Sequence, residues 1–361
     1  MTALTEQEAI REPGECIIRV DGEEIVDLYP HLRQASVVMD RSGATVCELE
    51  FETFRDGDDR WRVQDSPLLR PWKAMVIEAV FGDRNEEVMR GYIREVRLEC
   101  PDQMGEASVR VCGQDESLLL DREHLREIRS TSEAPVSDGD LASRIATDYG
   151  LECQSEAGLS NAFLAQDATP VRFLRDRAEA NGFELYIREG VLHFEPPDLE
   201  GDPQPTIQVY GGDSSGCRRF SLSYDGHRPD RVTVTRAAAT GTGDEEFEVT
   251  PALPLLGDQA ADSENAGLAP FTWRMEQPLG SSFEEARARA QAKADENAWK
   301  VRAEGALDGV VYGHVLLTHR TVQVEGIGPT YDGLYFVDYV RHVFNAEGYQ
   351  QSFRLLRNAT G

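Results

Sequence analysis

Short runs in which apolar and polar positions alternate cover most of the chain, and the clearest lies between Tyr331 and Arg357. There two apolar, β-branched and aromatic runs, Gly333 to Phe344 and Tyr349 to Leu356, flank Asn345-Ala346-Glu347-Gly348. This predicts a β-hairpin closed by a four-residue turn, with Gly348 supplying a positive φ where the turn re-enters the second strand. On the second strand Tyr349, Phe353 and Leu355 point one way and Gln350, Ser352 and Arg354 the other. Strict alternation on the first strand puts Leu334, Phe336 and Val340 on one face and Tyr335, Val337 and Tyr339 on the other. Both faces are apolar, so this strand is expected to have protein on both sides.

The same reading predicts strands over Cys16 to Val20, Gln34 to Met39, Thr45 to Phe54, Ala74 to Phe81, Glu87 to Cys100 and Ala107 to Gln114. Turn residues separate them at Asp21-Gly22, Arg41-Ser42-Gly43, Asp56-Gly57, Phe81-Gly82-Asp83 and Pro101 to Gly105, a spacing that suggests a closed barrel or sandwich. The texture then changes. Ser117 to Ile128 reads as a short helix or a connector. Ser137 is an N-cap with Asp140 at the capping-box position, Leu141, Ile145 and Tyr149 share a face, and Gly150 ends the helix. A second helix opens on Pro170 and stops at Asn181-Gly182, followed by a hairpin over Glu189-Gly190.

Pro196 to Pro205 reads as a linker, after which strands resume at Thr206 to Tyr210, Cys217 to Tyr224 and Arg231 to Arg236. Residues 237–267 are small, acidic and broken by Pro and Gly; apart from a strand at Phe247 to Val249 they read as a long acidic loop insertion. Ser282 with Glu285 opens a long helix expected to run to Glu304 and end at Gly305. Ala286, Ala290, Ala294 and Ala298 give that helix a narrow stripe for close packing on a sheet. Val310 to Leu317 and Arg320 to Val324 read as the remaining strands.

Composition narrows the picture. With 361 residues the chain exceeds a usual single core, and no run of 18 apolar residues predicts a membrane span. The N-terminus lacks a basic-then-apolar leader pattern, so folding in the cytoplasm is expected. Net charge is −28, and only three of the 37 basic residues are lysines. Such an acidic surface repels phosphate backbones, which argues against stable nucleic-acid binding. It suits a protein adapted to high salt, where charge repulsion is screened, or an acidic channel wall past which cargo slides. The six cysteines form neither C-x-x-C nor Cys/His zinc spacing and are expected to be free, buried thiols.

Two stretches carry a family resemblance. The ending G-x-Y-x-V-x-x-V-x-H-x-F, a turn, then G-Y-x-x-x-F-x-x-x-R is built here from Gly333, Tyr335, Val337, Val340, His342, Phe344, Gly348, Tyr349, Phe353 and Arg357. The helix-plus-hairpin upstream supplies Phe173, Leu174, Ala178, Gly182, Phe183 and Leu192. Together they resemble the late control protein D family, the central baseplate hubs of contractile phage tails and tail-derived injection systems, similar to the hub part of type VI secretion valine-glycine-repeat spike proteins. The stretch Met89 to Val96, followed by Val109 to Asp115, looks like that family's last barrel strands and the aspartate that ends them.

The resemblance implies a mainly β fold with an α/β insert: two tube-like antiparallel β-barrels flanking a small helix-plus-hairpin domain. It places a mobile N-terminus at 1–13, the first barrel at 14–116, the insert at 117–200 and the second barrel at 201–361. The implied assembly is a homotrimer that meets the tail tube protein or a tube initiator on one side and a separate trimeric spike on the other, among other baseplate proteins. No cofactor, membrane insertion or enzymatic activity is implied.

The search for chemistry agrees. The nucleophile elbow G-x-S-x-G is absent, and Gly211 to Gly216 lacks the Lys-Ser/Thr of a phosphate loop. His314 and His319 read as structural rather than as metal ligands. His342, inside the hairpin motif, reads either as a packed structural residue or as a pH gate at an interface. Two other classes compete with the hub: a secreted hydrolase or glycan-binding β-protein, and the tail tube subunit itself.

Overall fold

The structure is a computed structural model, described here over residues 15–55, 60–102, 107–212, 215–237, 244–262, 267–276 and 282–361. The N-terminal stretch 1–13 and the turns at Asp56-Gly57 and Met104 to Gly105 lie outside the described residues, as does part of 237–267.

The first part of the chain forms β1 (Glu15–Val20), β2 (Glu23–Glu24), β3 (Leu32–Asp40), β4 (Val46–Glu52), β5 (Ala74–Phe81), β6 (Arg84–Glu99) and β7 (Ser108–Asp115). Next comes the insert. It contains β8 (Leu125–Ser130), β9 (Val136–Ser137), α1 (Asp138–Asp148), β10 (Glu152–Ser155), β11 (Ser160–Asn161), β12 (Leu164–Ala168), α2 (Pro170–Asn181), β13 (Glu184–Arg188) and β14 (Val191–Glu195). The remainder forms β15 (Gln204–Gln208), β16 (Cys217–Tyr224), β17 (Arg231–Ala237), β18 (Asp244–Val249), β19 (Gln259–Ala260) and β20 (Thr272–Glu276). It continues through α3 (Phe283–Ala298), β21 (Val301–Asp308), α4 (Gly309–Tyr312), β22 (Thr321–Glu325), β23 (Gly333–Asn345), β24 (Gly348–Arg357) and β25 (Ala359–Thr360).

The chain is mainly β with an α/β insert, as its patterning predicts. Among the described residues the strands do not close into two separate barrels. They join one 13-stranded sheet whose path runs β16-β21-β24-β23-β3-β4-β7-β6-β5-β1-β2, with β15 and β22 branching from β23. The reason is the length of β23. Its first residues pair with β22, its last seven pair with β3 from Tyr339↔Asp40 to Asn345↔Gln34, and β24 lines its other side. One strand therefore belongs to both parts of the sheet.

The cores follow from this. Ile18, Val37, Leu49, Phe51, Ile77, Ile93 and Val111 fill the first, which also takes Phe344 and Tyr349 from the terminal hairpin. The second gathers Ile207, Val301, Ala303, Leu316 and Val324 around Tyr335, Val337, Val340, Phe353 and Leu355. In the insert, Leu141, Ile145, Phe173, Leu174, Ala178, Leu192 and Phe194 pack together.

The insert's helix ends match the sequence signals. Ser137 accepts a hydrogen bond from the Asp140 N–H at 3.0 Å, and Gly182 closes α2 in the left-handed conformation at φ +71°. The long helix is shorter than its alanine content predicts. Ser282 caps it through the Glu285 N–H at 3.1 Å, but it stops at Ala298 and the chain continues as β21 with the alternating burial of a strand. Its alanine stripe packs as expected, with Ala290 and Ala294 against Val232, Val234 and Val249. Within 237–267, β18 pairs with β17 and takes in the expected Phe247 to Val249 strand, the two-residue β19 pairs with β25, and residues 250–258 between them have no regular secondary structure. Strand β20, parallel to β17, lacks a clear sequence signal.

The candidate assembly seam at the C-terminal hairpin

The terminal hairpin forms as its sequence predicts, except that its loop is tighter. Asn345 pairs with Gly348, leaving Ala346 and Glu347 as the two loop residues, and Gly348 has φ +110°. Strict alternation fails on β23. The register shifts between Val337 and Tyr339, so that Asp338 forms a bulge. The bulge turns Val340 to the side of Tyr335 and Val337, while Phe336 faces a different cluster with Trp299, Leu256 and Leu356. The three-residue step in the motif, Val337 to Val340, is the sequence trace of this bulge. Its backbone is used: the Asp338 carbonyl accepts from the Arg41 N–H at 2.9 Å, and its carboxylate holds Arg354.

Residue by residue, the motif builds three contacts along one face. At the base, the wholly buried Arg357 lies over the Tyr335 ring, 5.3 Å from its centroid. Arg357 Nε donates to the Leu256 carbonyl at 2.9 Å, Nη2 donates to the Gly361 carbonyl at 2.8 Å, and Tyr335 donates to the Tyr331 carbonyl at 2.7 Å. In the middle, Phe353 sits where a Cβ on Gly305 would stand. At the tip, Phe344 and Tyr349 stack with centroids 4.1 Å apart, and Tyr349 presses on the backbone of Gly309. His342 Nδ1 lies 2.8 Å from Tyr349 Oη, and both side chains are buried. Burial pushes the imidazole down to about 3 and the Tyr349 hydroxyl well above its ordinary value. His342 is therefore a neutral, packed residue at physiological pH.

The insert residues of the motif are brought to a different place. Phe173, Leu174 and Ala178 lie in the insert core, and Phe183 meets Phe194 edge to face at 5.4 Å. Gly182 does double duty, since a Cβ there would also meet the Ala292 Cβ of α3 at 3.1 Å.

The insert is tied to the hairpin side by residues of which sequence reasoning singled out only His319, as a structural histidine. Glu184, at the start of β13, is buried. Arg41 Nε donates to it at 2.9 Å, and His319 Nδ1 lies 2.9 Å from its other oxygen. Arg41 also reaches Glu296 of α3 at 3.1 Å. Burial opposes the charge on Glu184, but Arg41 and His319 outweigh it and hold the carboxyl at about 2. Burial lowers the His319 imidazole, outweighing the pull of Glu184. His319 stacks on Tyr186 at 4.1 Å, and Tyr186 stacks on His193 at 4.4 Å. The β3–β4 turn and the segment before β22 thus converge on the insert's Glu184 carboxylate, and α3 joins them through Arg41. Asp115, the aspartate ending β7, makes a comparable joint by accepting from the Thr45 N–H at 2.6 Å and the Ser117 N–H at 3.0 Å.

His314 pairs with Glu86 at 3.0 Å, and among the described residues no group of three His, Cys, Asp or Glu side chains is placed to hold an ion. All six thiols are free. Cys47 is buried but Cys100 is exposed, because it lies just past the end of the long β6.

The fold has relatives among solved structures. The 43 kDa tail protein of prophage MuSo2 from Shewanella oneidensis matches over 96% of this chain and 100% of its own, at a TM-score of 0.70 and 14% identity. A tail protein from Neisseria meningitidis matches over 96% and 97%, at 0.68 and 15%. The E. coli c3393 protein, a component of the type VI secretion system, matches over 95% and 76%, at 0.57 and 10%. The fold is thus that of tail proteins, in agreement with the hub-like resemblance carried by the hairpin motif. No curated protein matches the chain by sequence. The family described as the Alg8 N-terminal domain matches residues 13–239, more than half of the chain, and the chain belongs to that family.

Proposed function

We propose that the protein is a non-enzymatic structural hub of a contractile tail or tail-derived injection machine. It assembles as a homotrimer, stacks on the sixfold tail tube and receives a separate trimeric spike. The observation that carries this reading is the tail-protein fold built around one strand: β23 joins two parts of a single sheet, and the hairpin motif supplies its packing face. A subunit with two linked sheet regions lets three copies present six similar surfaces to a sixfold ring while keeping threefold symmetry for a spike. In this reading Gly333, Tyr335, Val337, Val340, His342, Phe344, Gly348, Tyr349, Phe353 and Arg357 act by holding the two regions in register. Phe173, Leu174, Ala178 and Phe183 hold the insert together, and Gly182 lets it approach α3. The charge of −28 serves a life at high salt and a channel wall to which cargo does not adhere.

Light scattering after size exclusion in molar salt tests the assembly. A particle of three times 40.2 kDa is expected, and electron microscopy with tube and spike proteins should then show the trimer between them. A monomer that stays monomeric in the presence of both would overturn the reading.

A further inference from the structure

Residues 314–319, between α4 and β22, fall in a stretch whose patterning predicts a strand, yet they belong to no ladder. Val315, Leu316, Thr318 and His319 are buried all the same. A buried backbone outside a ladder needs other partners, and here side chains from distant elements supply them. Glu86 of β6 accepts from the Val315 N–H at 2.6 Å. Gln351 of β24 accepts from the Leu316 N–H at 2.8 Å and donates to the His314 carbonyl at 2.7 Å. Gln204 of β15 accepts from the Leu317 N–H at 2.8 Å and donates to the Leu317 carbonyl at 2.9 Å. Arg188 of β13 donates to the Thr318 carbonyl at 2.7 Å. Val315 enters the first core and Leu316 the second. The segment is a strap that ties both parts of the sheet to the insert through single contacts.

Each end of the strap carries a histidine against a carboxylate, His314 Nδ1 3.0 Å from Glu86 and His319 Nδ1 2.9 Å from Glu184. His319 is the buried one, and its backbone is held in the left-handed region at φ +60°, a conformation that persists only while its surroundings impose it. Burial lowers its imidazole, Glu184 opposes this, and Arg188 and Arg41 add to it. Glu296 of α3 stands behind Arg41, and His193, paired with Glu195, stands behind the Tyr186 ring. Across a cavity of about 50 Å³ lie Asp40, Glu87, Arg90, Asp115 and Glu189. Asp40, Glu87 and Asp115 are engaged with Ser42, Arg90 and Thr45, and Glu189 is exposed. The cavity has room for water, which gives a proton a route to the ring. With the ring neutral, Arg41 and Arg188 are met by Glu184 and Glu296. A proton on His319 would place a third positive charge beside them, inside the protein.

We propose that residues 314–319 form an acid-released latch, in which protonation of His319 frees the strap from Glu184 and Arg188 while the β3–β23 pairing holds the sheet together. The seven-residue ladder between β3 and β23 has no counterpart on the strap, so the strap opens at lower cost than the sheet. The sign follows from the ring. Folding disfavours its charged form, so the latch is complete above the ordinary 6.5 and weakens as pH falls below it. The inference does not depend on the tail reading, because every contact of the latch lies within one chain.

Hydrogen–deuterium exchange of the full chain, read by mass spectrometry at about pH 7.5 and about pH 5 and corrected for intrinsic amide rates, tests it. The peptide covering 314–319 should exchange at least about tenfold faster at the lower pH, while 339–345 stays protected. His319→Asn, whose amide can donate to Glu184 and which suits the left-handed backbone, should abolish the rise. Should that variant misfold, Arg188→Gln is expected to reduce the rise severalfold, since it removes one of the two cations and keeps a donor for Thr318. A strap that stays protected at about pH 5 overturns the proposal. Simultaneous loss of protection in 339–345 also overturns it, as acid unfolding of the whole chain in which His342 takes part. A rise that persists in His319→Asn does the same, because the ring would then not be the trigger.

Discussion

Gly333 lacks a side chain where Arg357 needs the space. A Cβ on Gly333, which has φ +135°, would stand 2.7 Å from Arg357 Nη2. Gly333→Ala therefore combines a disfavoured backbone with a clash against a wholly buried guanidinium, and a loss of about 2–4 kcal/mol is expected in urea unfolding. The clash needs Arg357. In an Arg357→Ala background the same substitution should cost clearly less, and a double-mutant cycle with no coupling between the two positions would refute the relationship.

Gly305 makes the same argument for the middle of the hairpin. Phe353 and the Arg219 carbonyl occupy the place of its missing Cβ, in the strand between β16 and β24. Gly305→Ala should lower stability by about 2 kcal/mol or more through forced displacement of the Phe353 ring. Gly348→Ala, with nothing within 4 Å of its Cβ position, carries only the backbone penalty of its positive φ, about 1 kcal/mol. Thermal melts of the two variants side by side separate packing from backbone strain; equal losses would remove the packing argument.

The junction at Glu184 has a pH signature. Its carboxyl sits at about 2 in the folded protein against an ordinary 4.5, so its contribution is fully present above pH 4.5 and is lost as pH falls toward 2. Glu184→Gln leaves Arg41 with Glu296 alone, and should cost on the order of 3 kcal/mol near neutrality. The difference between wild type and variant should shrink between pH 4.5 and 2. A difference that stays constant over that interval would assign the loss to packing rather than to the charge.

His342 acts over a different interval. Its imidazole sits at about 3 when folded against an ordinary 6.5, so the unfolded chain binds its proton first. Stability from the neutral ring is complete above pH 6.5 and is lost as pH falls toward 3, by up to about 1.4 kcal/mol per pH unit. His342→Gln, which keeps a polar partner for Tyr349, should flatten that slope. An unchanged slope would mean that the ring titrates normally.

How much of this was legible in the sequence depends on the range of the interaction. Local signals were reliable: Ser137, Pro170, Gly182 and Ser282 all sit at the helix ends they announce, and Gly348 re-enters its strand at positive φ. Gly305 misled because a glycine after an alanine-rich helix has the form of a helix stop. Its actual role, making room for Phe353, involves a residue far along the chain. The bulge at Asp338 was visible only as a three-residue step in an otherwise two-residue rhythm, which alternation alone does not interpret. The pairing of β3 with β23, which merges the expected barrels, leaves no local trace, since both strands carry generic apolar patterns. Glu184 and Arg41 were hidden for a related reason: in a chain with 65 acidic residues, a buried carboxylate looks like any other until the fold brings its partners to it.

The overall charge gives one more expectation. With −28 distributed over the chain, raising salt from low ionic strength to about 1 M shortens the Debye length to roughly 3 Å and relieves self-repulsion. The melting temperature should rise across that range. A flat or falling profile would separate the acidity from any adaptation to salt.

The pairing of β3 with β23 sets an order of events during synthesis. Asp40 waits for Tyr339, and the first core waits for Phe344 and Tyr349. Until those residues leave the ribosome, β3 presents an open edge and the core beneath it is unfilled, a state prone to pairing with the wrong chain. Contacts of such long separation in sequence also slow folding. A nascent chain stalled before residue 333 should therefore stay sensitive to protease in the 32–52 region and bind chaperones. Release of the finished hairpin would protect β3 and the C-terminal strands in a single step.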